Sequence, residues 1–178
     1  MARTPENEIP EQVSEDLRFC SRCGGPLTPQ PHDGHIRPVC DRCGFVVYRN
    51  PAPAAGVILV EDGAVLLVRR KFEPRRGMWT LPAGFVEYDE HITECAVRET
   101  KEETNLDVAL IRLFGAYMAM DDPRTRVVLL LYLANRVGGD LRPGDDAEEA
   151  RFFPLDATPP DIAFKAHVQA LADLRASR

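Results

Sequence analysis

The feature that most constrains this chain is a group of glutamates spaced for one face of a helix, within residues 84–106. Glu99 is followed by the adjacent pair Glu102 and Glu103, and residues three and four apart share a helix face. Three negative charges on one patch repel each other unless a cation lies between them. Carboxylate oxygens are the ligands that Mg²⁺ and Mn²⁺ prefer. The spacing therefore predicts a helix with a metal-binding face, and a solvated acidic face is the alternative.

The whole segment from Gly84 to Leu106 resembles the Nudix box, G-x5-E-x7-R-E-U-x-E-E-x-G-U, where U is aliphatic. Thr100 stands at an aliphatic position and Asn105 at the second glycine. Thr brings a hydroxyl that needs a partner, and Asn is the next-best residue to Gly at a left-handed helix end. His91 stands near the helix start, where the family usually has Ser or Thr. Because histidine is not a preferred N-cap, we expect this start to be less firmly fixed.

The resemblance covers about residues 50–170 and implies the Nudix fold, an α/β/α sandwich around a mixed sheet. It also implies metal-dependent hydrolysis of a nucleoside diphosphate linked to another group. The implied ligands of Mg²⁺ or Mn²⁺ are the carbonyl of Ala83 and the carboxylates of Glu99, Glu102, Glu103 and Asp146.

The resemblance places a later metal-binding carboxylate in residues 145–149, at Asp146 with Glu149 as the runner-up, and a solvated loop is the alternative. Arg98 and Glu90 are expected to orient the box carboxylates through a salt bridge rather than to touch substrate. The general base stays open among Glu99, Glu103, Asp146 and Glu149.

Four cysteines form a second motif, Cys20-x2-Cys23 and Cys40-x2-Cys43, and a glycine follows each pair. Two such pairs predict a closed, structural Zn²⁺ site, with glycine allowing a tight turn past each pair. A disulfide framework is the alternative. No signal-peptide pattern precedes Cys20, so an oxidising compartment is not indicated and a cytoplasmic location is expected. The fifth cysteine, Cys95, is expected to be a small core residue.

The chain is predicted to consist of a flexible tail (1–17), a zinc ribbon (18–49) and a Nudix domain (50–178). The ribbon has too few apolar residues for a core, so zinc would supply its folding energy. Residues 51–53 are expected to be a stiff linker, and Asp62-Gly63 predicts a hairpin. Strands are predicted at 54–60, 64–69, 108–117, 126–134 and 150–154, with a turn at 121–124. Helices are predicted at 91–104 and 162–175, the latter packing through Ala163, Ala166, Val168 and Leu171.

Basic and aromatic residues upstream of the box are candidates for substrate binding. Arg70 matches a basic position that is common in the family and would bind the diphosphate. Trp79 and Phe72 could stack on an adenine or isoalloxazine ring, and burial in the core is the alternative for Trp79. The net charge of −6 argues against general affinity for nucleic acid. No apolar run is long enough to span a membrane, and a homodimer is left open.

A zinc ribbon before a Nudix domain is similar to the NADH pyrophosphatase group. The downstream signature of that group, S-Q-P-W-P-F-P-x-S, is absent, because the corresponding stretch reads F-G-A-Y-M-A-M-D-D-P-R. The overall pattern looks more like ribbon-bearing enzymes that cleave FAD or ADP-ribose. We therefore expect a small-molecule substrate of the type ADP-X, cleaved to AMP and X-phosphate. The alternatives are an NADH or NAD-capped RNA pyrophosphatase and a non-catalytic regulatory module that binds a nucleotide.

Overall fold

The computed structural model of the protein describes residues 17–122, 124–144 and 146–177. These residues form two compact units, one ending at Asn50 and the other beginning at Pro51. The predicted tail, residues 1–17, lies outside the described residues except for its last position, and so does part of the predicted turn at 121–124.

The N-terminal unit contains one antiparallel hairpin, β1 (Leu27–His32) and β2 (His35–Cys40). Its two turn residues, Asp33 and Gly34, both have positive φ, which is the conformation that a tight hairpin turn requires. Among its described residues only Cys20, Gly25 and Cys40 are buried. The unit therefore lacks an apolar core, as its composition predicted.

The C-terminal unit is built on a mixed sheet of seven strands. The strands are β3 (Ala52–Glu61), β4 (Ala64–Arg70), β5 (Trp79–Thr80), β6 (Ala83–Phe85), β7 (Asp107–Ala119), β8 (Val127–Gly138) and β9 (Ala147–Pro154).

The sheet has the order β5-β4-β3-β8-β7, with β6 also paired to β3 and β9 to β4. The β3–β8 pair is parallel and the other pairs are antiparallel. Asp62 and Gly63 join β3 to β4 with φ of 47° and 79°. Positive φ at both central residues is the geometry that an Asp-Gly hairpin favours, so this prediction is confirmed.

Two helices cover the sheet, α1 (Ile92–Thr104) and α2 (Lys165–Ala176), and a single 3-10 turn lies at Leu155–Ala157. Alternation along β3 directs Ile58 into one hydrophobic cluster and Val57 into another. The first cluster contains residues of α2 and the second contains residues of α1. The expected α/β/α sandwich with a mixed sheet is therefore present. Neither helix is long and apolar enough to cross a membrane.

Three local predictions need correction. The expected linker at 51–53 is mostly strand, because β3 begins at Ala52 and pairs there with Val127. The last helix begins at Lys165 rather than at residue 162, and the side of α2 that packs holds Ala166, Ala170 and Leu171. Val168, a predicted packing residue, is 48% exposed. The strand predicted at 150–154 extends back to Ala147, because its register on β4 continues to Arg70.

Candidate active site and four-cysteine cluster

The local sequence defines both ends of α1. The His91 side chain accepts a hydrogen bond from the Thr93 backbone N–H, and the Glu94 side chain accepts one from the His91 backbone N–H. This reciprocal capping box fixes the helix start, which corrects the expectation of a weakly fixed one. At the other end Asn105 adopts the left-handed conformation with φ of 59°, as its position in the box predicted.

The face of α1 that packs on the sheet explains an unusual residue of the box. Thr100 is fully buried, and its hydroxyl donates to the Ala96 carbonyl at 2.7 Å. The hydroxyl thus has the partner that burial requires. Cys95 is also fully buried, and burial raises the pKa of its thiol to about 11. It is a core residue, as predicted.

The opposite face of α1 carries the carboxylates. Glu103 is only 9% exposed, and its Oε2 accepts a hydrogen bond from the Ala83 backbone N–H at 3.1 Å. Burial, reinforced by the charge of Glu99, raises the pKa of Glu103 to about 8. Burial also raises the pKa of Glu99. Two carboxyl groups with raised pKa values lie on one face, and such neighbouring negative charges favour the binding of a cation between them.

Arg98 holds three of the neighbouring carboxylates. It bonds to Glu90 and Glu99 at 2.7 Å and to Glu102 at 2.9 Å. The hydrogen bond from Arg98 lowers the pKa of Glu90 to about 2. The side chain of Glu102 is 45% exposed, whereas that of Glu99 is 16% exposed. Arg98 therefore links the start of the box to its acidic end.

The box glycine is required by close packing against this cluster. A Cβ atom added to Gly84 would overlap the Glu99 carboxylate. Only glycine lets the carboxylate lie against this backbone without displacement. Strand β6 and helix α1 are thereby brought together at the acidic face.

A cavity of about 310 Å³ opens at this face. Its ionisable lining residues come from segments that are far apart in the sequence. They are Arg70, Glu73, Glu87, Glu99, Glu103, Asp122, Arg124, Asp146 and His167. Its rings are those of Phe72, Phe85 and Phe164. Ala83 also lines it, and Glu102 is not among the lining residues. The cavity thus combines oxygen ligands, guanidinium groups and aromatic surface.

Arg70, the basic residue predicted to bind the diphosphate, lines the cavity. Its Nε donates to the Pro74 carbonyl at 2.8 Å, and its guanidinium lies 5.3 Å from the centre of the Phe164 ring. Burial is the main reason that the pKa of Arg70 is lowered, while the charge of Glu103 acts in the opposite direction. The guanidinium is therefore within electrostatic range of the carboxylate cluster.

Two predicted site residues lie elsewhere. Trp79 is 7% exposed and packs edge to face on Phe153, with ring centroids 4.7 Å apart. Glu149 lies 3.6 Å from Arg69. Arg69 is the register partner of both Trp79 and Glu149, so the three share one face of β4. Successive side chains of a strand point to opposite faces, which is why Arg70 reaches the cavity and this group does not.

The cavity also contains residues that the sequence did not single out. Glu87 lies inside the box segment, and Asp122 and Arg124 lie in the predicted turn. A search for charged residues near the box could have found Glu87. His167 and Phe164 come from the C-terminal helix and the residue that caps it, and no local pattern marks them.

The cysteines of the N-terminal unit meet in one cluster. The Sγ atoms of Cys20, Cys23, Cys40 and Cys43 all lie within 4.8 Å of one another, and all four residues are free thiols. Gly24 and Gly44 have φ of 67° and 69°, as the expected tight turns require. A Cβ atom on Gly25 would lie 3.1 Å from Cys40 Sγ, so this glycine leaves room for the cluster. Four sulfur donors fit a tetrahedral Zn²⁺.

Comparison with known proteins finds a family match for each of the two units. The family model of the NUDIX domain matches residues 50–174, and the model of the zinc-ribbon "Nudix N-terminal" module matches residues 18–49. The chain belongs to the Nudix family and carries the zinc-ribbon module of that family.

The names of two relatives refer to different nucleotide substrates. An "ADP-ribose pyrophosphatase" of Methanocaldococcus jannaschii is 43% identical over 65% of this chain and 69% of its own length. An "NAD-capped RNA hydrolase NudC" of Pseudomonas aeruginosa is 34% identical over 90% of this chain but only 56% of its own length. A NUDIX hydrolase structure from Nitrosomonas europaea has a TM-score of 0.79 and 35% identity, covering 91% of this chain and 92% of that one.

Proposed function

We propose that this protein hydrolyses the diphosphate linkage of an ADP-X nucleotide, such as ADP-ribose or FAD, to AMP and X-phosphate. Water adds to one phosphorus atom, the bond from that atom to the bridging oxygen breaks, and the bridging oxygen leaves with the other phosphate. The observation that carries the proposal is the combination of Glu99, Glu103 and Asp146 with Arg70 in one cavity.

The carboxylates fit a bound divalent cation, either Mg²⁺ or Mn²⁺. Burial is the main reason that the pKa of Glu103 is raised, and the charges of Glu99 and Asp146 add a repulsion that a cation would relieve. The residues that would hold it are Glu99, Glu103 and Asp146, with the Ala83 carbonyl and with Glu102 beside them. Such a cation supplies polarisation of phosphoryl oxygens and activation of water.

Protein side chains also orient the carboxylates, bind the diphosphate and accept the proton of the attacking water. Arg98 holds Glu99 and Glu102 in place through two short ion pairs. Arg70 neutralises the diphosphate, because a guanidinium binds phosphate in a fork. The proton of the attacking water passes to Glu99, Glu103 or Asp146, the candidate bases that line the cavity.

The aromatic surface of the cavity suits the base of a nucleotide. Phe72 is 53% exposed and Phe85 is 38% exposed, and both line the cavity. The guanidinium of Arg124 lies 5.5 Å from the centre of the Phe85 ring. Partly exposed rings at a cavity mouth can stack on adenine. In this proposal Phe72 keeps the stacking role expected from the sequence, and Phe85 takes the role expected of Trp79.

The preference for ADP-X rests on two observations. The relative at 43% identity carries the name ADP-ribose pyrophosphatase. The downstream signature of NADH pyrophosphatases is absent after Leu113.

We also keep the cytoplasm as the expected compartment, because free thiols in a zinc-type cluster suit a reducing environment.

The test is a hydrolysis screen of the full chain over ADP-ribose, FAD, NADH, diadenosine polyphosphates and coenzyme A, with AMP measured by chromatography. We expect Mg²⁺- or Mn²⁺-dependent release of AMP, fastest from ADP-ribose or FAD, and none when a chelator removes the cation. The absence of metal-dependent AMP from every substrate would leave a non-catalytic nucleotide-binding module as the better assignment.

A second candidate function is hydrolysis of NAD-capped RNA. The ribbon segment, residues 18–50, contains five arginines and two aspartates, although the whole chain is acidic. Arg22 lies 4.8 Å from the Phe45 ring centre and Arg37 lies 4.5 Å from that of Tyr48. Stacked rings next to arginines are typical of surfaces that bind single-stranded nucleic acid. Salt-dependent binding of a 5′-NAD RNA oligonucleotide, weakened by Arg37→Gln, would favour this function over ADP-X hydrolysis.

A further inference from the structure

His167 is a buried histidine at the cavity whose tautomer the structure defines. It lies in the first turn of α2, is 6% exposed and lines the cavity. Its Nδ1 accepts a hydrogen bond from the backbone N–H of Leu81 at 3.2 Å. Leu81 is fully buried, so this N–H needs an acceptor. A ring nitrogen that accepts carries no proton, and the neutral ring therefore has its N–H at Nε2.

The other ring nitrogen is free to act. Among the described residues no protein group hydrogen-bonds to His167 Nε2. In the part of the chain that the structure describes, the buried side-chain atoms without a partner are Arg37 Nε, Arg69 Nε and Asp121 Oδ1, and His167 Nε2 is not one of them. The atom therefore keeps access to open space, which for this residue is the cavity.

The charges around His167 determine which kind of ligand its Nε2–H can bind. Burial and the charge of Arg70 lower the pKa of His167 to about 4, and the charge of Asp121 acts in the opposite direction. His167 is therefore neutral at physiological pH. A neutral N–H beside Arg70 adds a donor for an anion without adding repulsion between two cations. The Phe164 ring contacts both groups, at 5.3 Å from Arg70 and with its centroid 6.0 Å from that of His167.

We propose that His167 contacts the substrate, donating a hydrogen bond from Nε2 to a phosphoryl oxygen of the diphosphate bound by Arg70. The inference rests on the proposed function and extends it by one residue that no motif marks. Nδ1 and Nε2 have separate tasks: the first positions the ring against the backbone of Leu81, and the second recognises the ligand. A purely structural histidine would need only the first.

A pair of variants separates these tasks. In His167→Asn the side-chain carbonyl can replace Nδ1 as acceptor for Leu81, but nothing replaces Nε2. In His167→Gln the amide N–H₂ can reach the Nε2 position, but the acceptor for Leu81 is lost. We expect His167→Asn to melt close to the wild type and to raise KM for ADP-ribose roughly tenfold at nearly constant kcat. We expect His167→Gln to melt lower and to keep a KM close to the wild type.

The reverse pattern, with KM unchanged in His167→Asn and raised in His167→Gln, would show a structural role only and overturn the proposal. A second measurement does not depend on turnover. The chain has four histidines, so ¹⁵N NMR of labelled protein can assign the His167 ring by its loss in His167→Asn.

Inorganic pyrophosphate with Mg²⁺ serves as the probe in this measurement. We expect the Nε2 resonance of His167 to shift on binding while Nδ1 keeps its accepting state. Pyrophosphate that does not bind, or that binds without moving this resonance, would overturn the proposal. A shift in a protein that hydrolyses no ADP-X would retain the phosphoryl contact and reject only the proposed substrate class.

Discussion

The cysteine cluster of the N-terminal unit and the carboxylate cluster of α1 are two groups of candidate metal ligands with opposite construction. The four Sγ atoms lie within 4.8 Å of one another and come from two short turns. The carboxylates of Glu99, Glu103 and Asp146 line a cavity of about 310 Å³. The cysteine cluster is closed by protein, whereas the carboxylate cluster leaves one side open to a ligand.

The difference follows from what surrounds each cluster. The described residues of the N-terminal unit include almost no buried apolar side chain, so we expect its fold to depend on an ion bound by the four cysteines. Helix α1 packs on a sheet through Cys95, Ala96 and Thr100, so its fold does not depend on the carboxylates. Its other face can therefore carry several carboxylates, which Arg98 only partly neutralises. We therefore expect a metal to serve the fold in the first case and chemistry in the second.

The largest effect is expected in the ribbon. Replacing Cys20 and Cys23 by serine should remove the zinc and unfold residues 18–49, because zinc provides about 10–16 kcal/mol in comparable peptides. The wild type should contain one tightly bound Zn²⁺ per chain. Zinc content, tryptic digestion and turnover of both proteins provide the measurement.

The hydrolytic site should survive this change, since its oxygen ligands belong to the other unit. No zinc in carefully reduced wild-type protein, with Cys20 and Cys43 found in disulfides before reduction, would contradict the closed-site assignment. Complete loss of turnover in a protein whose Nudix domain stays folded would instead show that the ribbon contributes to the active site.

The next largest effect is a loss of activity on substitution of Glu103, the buried carboxylate that lines the cavity. Glu103→Gln keeps the hydrogen bond from Ala83 available but removes the charge, so kcat/KM should fall roughly a hundredfold or more. Glu102→Gln is the matched neighbour, and because Glu102 is exposed and held by Arg98 its loss should be smaller. Steady-state kinetics with Mg²⁺ measures both. Near-full activity of Glu103→Gln and Glu99→Gln on every dinucleotide would contradict the metal assignment.

The same substitution should stabilise the protein when Mg²⁺ is absent. The pKa of Glu103 is about 8 in the folded protein and 4.5 as its ordinary value, so between these pH values the folded state binds more protons. Stability should therefore fall as pH rises from about 5 to about 8, by on the order of a few kcal/mol. Urea unfolding of wild type and Glu103→Gln at both pH values measures this. Equal pH slopes in the two proteins would show that Glu103 is compensated without a cation.

Gly84→Ala should produce an intermediate effect. The new Cβ would displace the Glu99 carboxylate, so activity should fall about tenfold to a hundredfold through a misplaced ligand. Thermal unfolding and kinetics at increasing Mg²⁺ concentration measure the change. Gly63→Ala is a control for backbone strain without a steric clash, because Gly63 has φ of 79° and a Cβ there meets nothing within 4 Å. A loss of activity that is no larger in Gly84→Ala than in this control would mean that Glu99 tolerates displacement.

The smallest expected effect distinguishes Asp146 from Glu149, the two candidate carboxylates that follow β8 in the chain. Asp146→Asn should lower kcat about tenfold, because Asp146 lines the cavity and acts electrostatically on Glu103. Glu149→Gln should change kcat little, because Glu149 pairs with Arg69 on the opposite face of β4. The kcat values of the two variants provide the measurement. Equal, small losses would return the role of the base to the glutamates of α1.

Local chemistry was enough to predict several parts of this protein. The spacing of Glu99, Glu102 and Glu103 defined a helix face, and Asn105 marked its end. Asp62-Gly63 marked a hairpin, and the paired cysteines marked a cluster. Each of these signals acts between residues that are close in the chain, where geometry is nearly independent of the rest of the fold. The sequence by itself therefore determined the family, the acidic helix and the cysteine cluster.

The tertiary structure alone decided which side chains meet the acidic helix. The register of β9 on β4 separates Asp146 from Glu149, and strand alternation buries Trp79 away from Arg70. His167 reaches the cavity because α2 packs on the sheet and offers an acceptor to Leu81, far away in the chain. One-residue differences in strand register reverse the face of a side chain, and no local pattern records that choice. The open part of the site is therefore a property of long-range packing.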